Sequence, residues 1–564
     1  MYRTRANTIR IAAVIAAVLA FCPRSGNAQE EAPGNLTHEV FPGSVAESYL
    51  RYLQSVGRVP VNQWTLRPFS QRELHHLIPA DSAHPWRERF ERTSQSREIK
   101  FGLIAPTSTI RYNSSFPYGS NDGPVWAGRG VTSAAQAGFF AGWGPISLVV
   151  LPMAFRAENQ DFDILANGRT GNFAFADPEF GGVDRPQRFG DAAYQQVDPG
   201  ETTLRVDLPF VTAGVSTGNQ EWGPAQELPV ILGNNAAGFP HVFVGSSEPI
   251  DIYIAKIHAK VMWGELFQSD YSSVTGSDTY VSRAESGTRR FTTGIVFSLQ
   301  PRGLTGLEIG GLRFFHSIWP QSGIPRSYLT KVFQGILKKD LPVDVISDPR
   351  FPPNQARGIA DNQLISIFAR WVLPHSGFDV HFEYGRDDHS YDFRDLEQEP
   401  DHSRAYSIGA RKVFSLKPKS MTAGRVEIMN FQLPQLSRYR GEGEMYVHGL
   451  IRQGHTYKGQ LLGANLGVGT GAGSVTAVDH FSEKGRWTAT WTRTVRQENG
   501  NYTVAGIRSP RSIDVSHALG YEASRFIRQY ELTYGLTLVR ELNRDFKRDA
   551  TNVNALVGVR YLLH

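Results

Sequence analysis

Short stretches of alternating apolar and polar residues recur along most of the chain. In residues 203–210, Leu204 and Val206 lie on one face of the predicted strand, and Arg205 and Asp207 lie on the other. A period of two is typical of a β-strand with one apolar and one polar face. The pattern returns in the stretches 290–299, 365–373, 378–384, 487–495, 529–539 and 552–563. The chain is therefore predicted to consist mainly of antiparallel strands.

The spacing of these strands predicts their number. The region 101–564, at roughly 24–26 residues for each strand and its connection, would hold ~18 strands, an even number typical of bacterial outer-membrane barrels. The apolar parity changes after Phe210, where Val211, Ala213 and Val215 become the apolar set, and either a bulge or a turn would explain the change. Alternation alone leaves two readings open, a lipid-facing barrel wall and the packed core of a large soluble β protein.

Helical patterns occur before the strands and once within them. Residues 29–100 are predicted to form a small helical module, because Ser70 and Glu73 have the spacing of a capping box and residues 83–98 have a charged helical pattern. A first helix is indicated by Val45, Tyr49, Leu50, Leu53 and Val56, with Gly57 as its C-cap. A further helix is predicted over 326–339, inside a Pro-flanked insertion at 316–360. Such an insertion is either a lid at a barrel mouth or a surface helix that covers an exposed edge.

The N-terminus and the composition favour the barrel. Residues 1–28 have the charged, apolar and small-residue parts of a secretory signal, with cleavage expected after Ala28. Removing them deletes four arginines and no acid, so the formal charge falls from +5 to +1 and offers no general attraction to nucleic acid. The single cysteine, Cys22, leaves with the signal, so no disulfide is expected. An exported, cysteine-free chain rich in glycine and aromatic residues is typical of a transmembrane antiparallel β-barrel of an outer membrane.

Carbohydrate binding is the chemistry that the loops favour. Aromatic faces cover the C–H surfaces of a sugar, while planar amides and charged groups satisfy its hydroxyls. Side chains of these kinds are predicted in loops or at strand ends, namely Trp222, Asn234, Asn235, Tyr439, Arg440, Tyr446 and Tyr457. The competing interpretation of each is a residue of the aromatic girdle or of a turn.

Other chemistries have weaker signals. The glycine-rich stretch 459–473 lacks the Gly-Lys-Ser/Thr ending of a phosphate-binding loop. The segment with Asp387, Asp388 and His389 reads as a solvated acidic loop more readily than as a Ca²⁺ site. Asp379 and Glu383 share a strand face, as paired glycosidase carboxylates would, but acids facing inward are ordinary in barrel lumens. We therefore predict no cofactor, no metal and no enzymatic activity.

Three stretches together resemble the capsule assembly Wzi family. They are WTLRPFSQREL at 64–74, EWGPAQELPVILGNNAAGFPHVFVG at 221–245 and IRQGHTYKGQLLGANLGVGTGAG at 451–473. The resemblance implies an 18-stranded outer-membrane barrel with a periplasmic helical bundle, acting as a lectin that holds capsular polysaccharide at the cell surface without catalysis. The chain departs from outer-membrane barrels in its ending, since Tyr561 is followed by Leu-Leu-His.

The sequence thus predicts a monomeric surface lectin barrel that binds capsular or other exopolysaccharide. The helices of 29–100 would close the periplasmic end, and the extracellular loops, including 316–360, would narrow the other. A pore for small polar solutes is the first alternative, and a glycan-modifying enzyme is the second.

Overall fold

The computed structural model describes thirteen parts of the chain. They are residues 37–78, 83–90, 99–178, 180, 182–274, 289–319, 323–337, 361–388, 390–433, 443–449, 451–469, 471–497 and 513–562. The predicted signal segment 1–28 and the candidate residues Tyr439, Arg440 and His389 lie outside these parts.

The chain forms a closed antiparallel barrel of 18 strands, as the strand spacing predicted. The strands are β1 Lys100–Asn113, β2 Gly130–Trp143, β3 Ile146–Val150 with Met153–Ala157, β4 Tyr194–Asp198 with Thr203–Asp207, β5 Thr212–Ser216, β6 His241–Gly245, β7 Ala255–Phe267, β8 Arg289–Pro301, β9 Leu307–Ile318, β10 Asp361–Leu373, β11 Phe378–Asp387, β12 Arg404–Lys417, β13 Ser420–Asn430, β14 Gly471–Ser482, β15 Gly485–Gln497, β16 Ile513–Ile527, β17 Tyr530–Arg544 and β18 Arg548–Tyr561. The last strand closes the barrel on the first, with Thr107 opposite Arg560 and Asn113 opposite Asn554.

The two faces of the wall separate as the alternation predicted. On β11, Val380 and Phe382 are exposed on the outer face, while Asp379 and Glu383 are buried on the inner face. Leu204 on β4 is likewise exposed, and the outer surface of most strands carries further exposed apolar side chains. An apolar band outside a polar interior is the arrangement of a transmembrane barrel.

The two ends of the barrel differ. At one end, which we call the short-turn end, the strands are joined by short connections such as 144–145, 374–377, 418–419 and 483–484. The opposite end, which we call the long-loop end, carries longer connections such as 114–129, 158–193 and 217–240. The parity change after Phe210 is a tight turn at the short-turn end, where the Leu208 N–H donates to the Val211 carbonyl at 2.8 Å. A turn, rather than a bulge, therefore resets the pattern between β4 and β5.

The N-terminal residues enter the lumen from the short-turn end. Helix α1 (Val45–Ser55) and helix α2 (Gln71–Leu77) both form, and the capping box of Ser70 and Glu73 is complete. On α1, Arg51 Nε donates to Asp379 Oδ2 at 2.9 Å and the Tyr52 hydroxyl donates to Asp479 Oδ2 at 2.6 Å, so the helix is bound to the inner wall. The third predicted helix is wrong where it can be checked, because 83–90 holds only the 3₁₀ turn Arg87–Arg89.

The described part of the β9–β10 connection lies outside the barrel. Residues 323–337, which we call the hood, contain a four-residue helix α3 (Arg326–Leu329) and the 3₁₀ turn Lys331–Phe333 in place of the long helix predicted over 326–339. The outward indole of Trp263 on β7 donates to the Leu329 carbonyl at 2.9 Å. The hood therefore covers the outer wall and does not narrow the mouth. No helix among the described residues is long and apolar enough to cross a bilayer.

Candidate functional site

Two loops fold back from the long-loop end and fill one side of the lumen. We call residues 217–240, 443–449 and 451–469 the plug. Its buried apolar side chains form one core with inward residues of the wall, which include Met262, Leu266, Val296, Leu312, Phe314, Leu364 and Met429. An apolar core of this kind stabilises the plug in place because it removes large apolar surfaces from water.

The carboxylate of Glu427 on β13 anchors the first plug loop. It accepts hydrogen bonds from the backbone N–H groups of Gln226, Glu227 and Leu228 at 2.8–3.1 Å, and Arg411 lies 3.3 Å away. Three N–H groups converging on one buried carboxylate fix the loop to the wall, and hydrogen bonds to a charged group are the stronger kind.

A row of histidines joins the second plug loop to the wall. The Ile231 carbonyl can only accept, so His455 donates to it through Nε2 at 2.6 Å and must accept through Nδ1. That acceptor lies 2.7 Å from Nε2 of His316 on β9, which in turn lies 3.5 Å from Arg290 through its Nδ1. Arg290 also donates to the carbonyls of Gly454 and Thr456 at 2.6 Å. Burial lowers the pKa of His455 to about 3, consistent with a neutral ring.

A cavity of about 320 Å³ lies at the long-loop end beside the plug, and we call it the loop-end cavity. It is lined by aromatic, amide and charged side chains from several loops and from the ends of β15–β17, among them Tyr118, Trp126, Phe162, Arg185, Gln187, Asn235, Gln460, Asn465, Thr494, Arg496, Asp514, Glu541, Arg544 and Asp545. Burial raises the pKa of Tyr118 to about 12, so its hydroxyl stays protonated and keeps its donor. Aromatic surface beside convergent polar groups is typical of a small-molecule or saccharide site.

Ion pairs hold the charged side of this cavity. Arg496 Nη2 lies 2.9 Å from Asp514 Oδ2 and 3.1 Å from Asp545 Oδ1. Arg544 Nη1 lies 2.9 Å from Glu541 Oε2, and its guanidinium lies 4.2 Å from the centre of the Phe116 ring. The guanidinium and carboxylate groups are therefore held in fixed positions. The guanidinium groups can donate hydrogen bonds to hydroxyl groups, and the carboxylates can accept hydrogen bonds from them.

A second, smaller cavity of about 190 Å³ is lined by inward residues of β1 and β15–β18. It shares Tyr118 and Asp122 with the loop-end cavity, and its wall includes Thr490, Thr492 and Thr537. At the short-turn end, a salt bridge joins Arg560 to Glu39 of the N-terminal module, and Arg560 also lies 3.1 Å from Glu531. The N-terminal module thus contacts the wall at β17 and β18.

The structure divides the predicted sugar-binding residues. Trp222, Tyr446 and Tyr457 are at most 2% exposed and belong to the plug core, which argues for a packing role. The side chain of Asn234 donates to the Asn121 carbonyl at 3.2 Å. Asn235 lines the loop-end cavity and donates to the Leu461 carbonyl at 2.8 Å. Sugar contact by Asn235 stays a prediction.

Sequence reasoning missed most of the cavity residues. A signal was present for Arg496, because it continues the inward parity of Thr490, Thr492 and Thr494 on β15 to the mouth of the barrel. No such signal existed for Arg544, since a register shift between Glu541 and Arg544 breaks the parity of β17. Tyr118 and Trp126 lie in an irregular loop, where alternation gives no direction.

The carboxylates weighed for catalysis are buried in the wall of the plugged side. Asp379 binds Arg51 and Arg370, and Glu383 accepts a hydrogen bond from Ser366 at 2.6 Å. Both are 0% exposed, so a glycan has no access to them in this arrangement. Among the described residues, no group of three or more His, Cys, Asp and Glu side chains is placed to hold a metal ion.

No protein-family model and no curated protein matches this sequence. Among solved structures the chain is similar to Wzi, an outer-membrane protein involved in group 1 capsule assembly in Escherichia coli and a carbohydrate-binding β-barrel, with a TM-score of 0.56 and 11% identity over 91% of this chain and 97% of Wzi. Two porin-like structures align less well: Pseudomonas aeruginosa OpdQ has a TM-score of 0.39 and 8% identity over 82% of this chain and 97% of its own, and Acinetobacter baumannii OccAB3 has 0.36 and 8% over 81% and 98%. The fold of this chain is that of an outer-membrane β-barrel.

Proposed function

We propose that this protein is an outer-membrane lectin of the Wzi family that binds and anchors capsular or other surface polysaccharide. In the proposed orientation the long-loop end faces the cell exterior, and the short-turn end with residues 37–90 faces the periplasm. The loop-end cavity then opens towards the polysaccharide. The likeness of the barrel to a carbohydrate-binding barrel involved in capsule assembly supports this assignment.

The observation that carries the proposal is the composition of the loop-end cavity. Its aromatic rings would cover the C–H faces of a sugar, and its amide and guanidinium groups would donate to hydroxyl or carboxylate oxygens. Arginine and carboxylate groups are paired there, so the cavity suits neutral sugars and uronic acids more than a strongly anionic ligand. A polymer with a few sugars held in each of many cavities would gain strength from multivalency.

We assign no catalytic activity to the loop-end cavity. In the loop-end cavity, Asp514, Glu541 and Asp545 each pair with a guanidinium, which favours a role in positioning over proton transfer. Product formation from isolated polysaccharide would overturn this part of the proposal.

The cellular test compares a deletion strain with strains that carry the wild-type protein or a cavity variant. We expect deletion to release polysaccharide into the medium while total synthesis continues, and the wild-type gene to restore cell-bound polymer. Asn465→Trp places a large ring at the exposed edge of the cavity and should fail to restore retention. Unchanged cell-bound polysaccharide in the deletion strain would contradict the proposal.

The second cavity favours one alternative, a pore for small polar solutes. Threonines and charged groups line it as they line an aqueous lumen. The plug core and the contact of Glu39 with Arg560 oppose an open path. Stable conductance of the wild-type protein in planar bilayers would favour the pore.

A further inference from the structure

The hood creates a groove on the membrane-facing side of the barrel. The space is about 720 Å³ and lies between hood residues and the outer faces of β3–β8. Its lining is mainly apolar and includes Leu204, Val215, Val242, Trp263, Phe291 and Leu329. Short strands shape this part of the wall, since β5 and β6 have only five residues each. The groove is separate from the loop-end cavity, because it lies on the opposite face of the wall.

The hood is built to lie within the membrane. Its exposed apolar side chains include Ile324 and Leu329, which also line the groove, and Phe333 and Ile336, all between 41% and 68% exposed. An exposed apolar surface of this kind is unfavourable in water and is expected where lipid is the solvent. The hood residues therefore continue the apolar belt of the strands.

Charged side chains under the hood are paired within the protein. Arg313 on the outer face of β9 donates to the hood carbonyls of Val332, Gln334 and Gly335 at 2.7–3.1 Å. Lys331 of the hood forms a buried ion pair with Asp361 on the outer face of β10. These contacts fix the hood to the wall and keep its charges out of the hydrocarbon, as a membrane-embedded segment requires.

A cation lies at the long-loop edge of the groove. Arg289, the first residue of β8, is about half exposed, and its guanidinium lies 4.2 Å from the centre of the Trp319 ring, which lines the groove. Arg289 Nη1 also forms a salt bridge with Glu265 Oε1 at 3.1 Å. Arg326 of the hood is exposed, two residues after the groove residue Ile324. An apolar trough with cations at one edge has the polarity of a lipid whose acyl chains run down the wall from an anionic headgroup.

We infer that this groove binds the acyl chains of one phosphorylated glycolipid of the outer leaflet, with a phosphate group near Arg289. The choice of leaflet rests on the orientation proposed above, because the groove lies towards the long-loop end. The proposed lipid site does not depend on polysaccharide binding. A lipid bound in this way would be a structural ligand of the barrel that stays bound when the membrane is dissolved.

The test uses two tryptophan substitutions on one strand. Val242 and Val244 are both outward residues of β6, at 47% and 45% exposure, but only Val242 lines the groove. Full-length protein would be extracted from membranes in mild detergent and analysed by native mass spectrometry, with heat-modifiable migration as the folding check. We expect the wild type to retain one glycolipid per barrel, Val242→Trp to lower its occupancy at least tenfold, and Val244→Trp to leave it unchanged.

Two further variants complete the design. Val215→Trp fills the groove from β5 and replaces Val242→Trp if that variant does not fold. Arg289→Gln should reduce retention of purified phosphorylated glycolipid in nanodiscs several-fold, with a smaller effect on its dephosphorylated form. The inference is overturned if the wild type retains no lipid, if it retains a phospholipid in place of the glycolipid, or if Val242→Trp and Val244→Trp behave alike. Polysaccharide binding measured on the same samples separates this inference from the proposed function, since the groove variants should leave it intact.

Discussion

Replacing Glu427 by glutamine should loosen the plug without altering the wall. The substitution keeps the size of the side chain but removes the charge that three backbone N–H groups of the plug and Arg411 share. One amide oxygen cannot replace both carboxylate oxygens, and the new NH₂ group faces N–H donors. The plug loop at Gln226–Leu228 therefore loses its strongest polar attachment.

The size of the effect follows from the number of contacts. Removing one partner of a buried ion pair costs about 3–5 kcal/mol, and each hydrogen bond to a charged group contributes about 1.5–3 kcal/mol. These contributions overlap, so we expect a loss of about 3–5 kcal/mol in the attachment of the plug. A change of 1.4 kcal/mol is a factor of ten, so the equilibrium population of the detached plug should rise roughly 140- to 4,000-fold.

The assay is single-channel recording in planar bilayers, with trypsin digestion of the plug as a second readout. Wild-type barrels should be almost silent, whereas Glu427→Gln barrels should open frequently and expose the plug to trypsin. Glu522→Gln is the matched control, because Glu522 lies on the inner face of β16 and pairs with Arg486 without contacting the plug. The reasoning is refuted if the conductance and the trypsin pattern of Glu427→Gln equal those of the wild type.

Two other predictions concern pH and the N-terminal module. Burial lowers the pKa of His455 to about 3 from an ordinary 6.5. Between pH 6.5 and pH 3, His455 therefore takes up a proton only in the unfolded loop, which stabilises the unfolded state. The plug should lose about 2 kcal/mol of stability when the pH falls from 7.5 to 5. Urea unfolding at the two pH values should show this loss, and His455→Gln should make it smaller; an equal loss in the variant would contradict the assignment. Ser70→Ala removes the N-cap of α2 and should destabilise the module by about 1 kcal/mol in urea unfolding followed by intrinsic tryptophan fluorescence, while Gln71→Ala, one residue later, serves as the control. Equal midpoints for the two variants would refute the role of the cap.

The wall was predictable from the sequence because strand alternation depends on local pattern alone. On β11 each residue from Phe378 to Glu383 faces the side that its polarity indicates, with the polar residues inside. The capping box at Ser70 was predictable for the same reason, since its signal spans four residues.

The plug and the hood depend on contacts distant in sequence, and they were not predictable in this way. Trp222 and Tyr446 are aromatic loop residues of the kind that binds sugars, yet their loops fold inward and pack both side chains against the wall. The apolar stripe of 326–339 predicted a long helix, but in the described residues Arg313 binds the carbonyls of Val332 and Gln334, which an α-helix would have used internally. Long-range hydrogen bonds thus replaced the local helical pattern.

The central claim, that the loop-end cavity binds surface polysaccharide, is tested most directly with purified barrels. Isothermal titration with fragments of the isolated polysaccharide would compare the wild type, Arg496→Gln, Asn465→Trp and the control Lys547→Trp, an exposed loop residue that does not line the cavity. The account predicts binding by the wild type and Lys547→Trp, and at least tenfold weaker binding by the two cavity variants. Equal affinities for all four proteins, or no binding by the wild type, would contradict it.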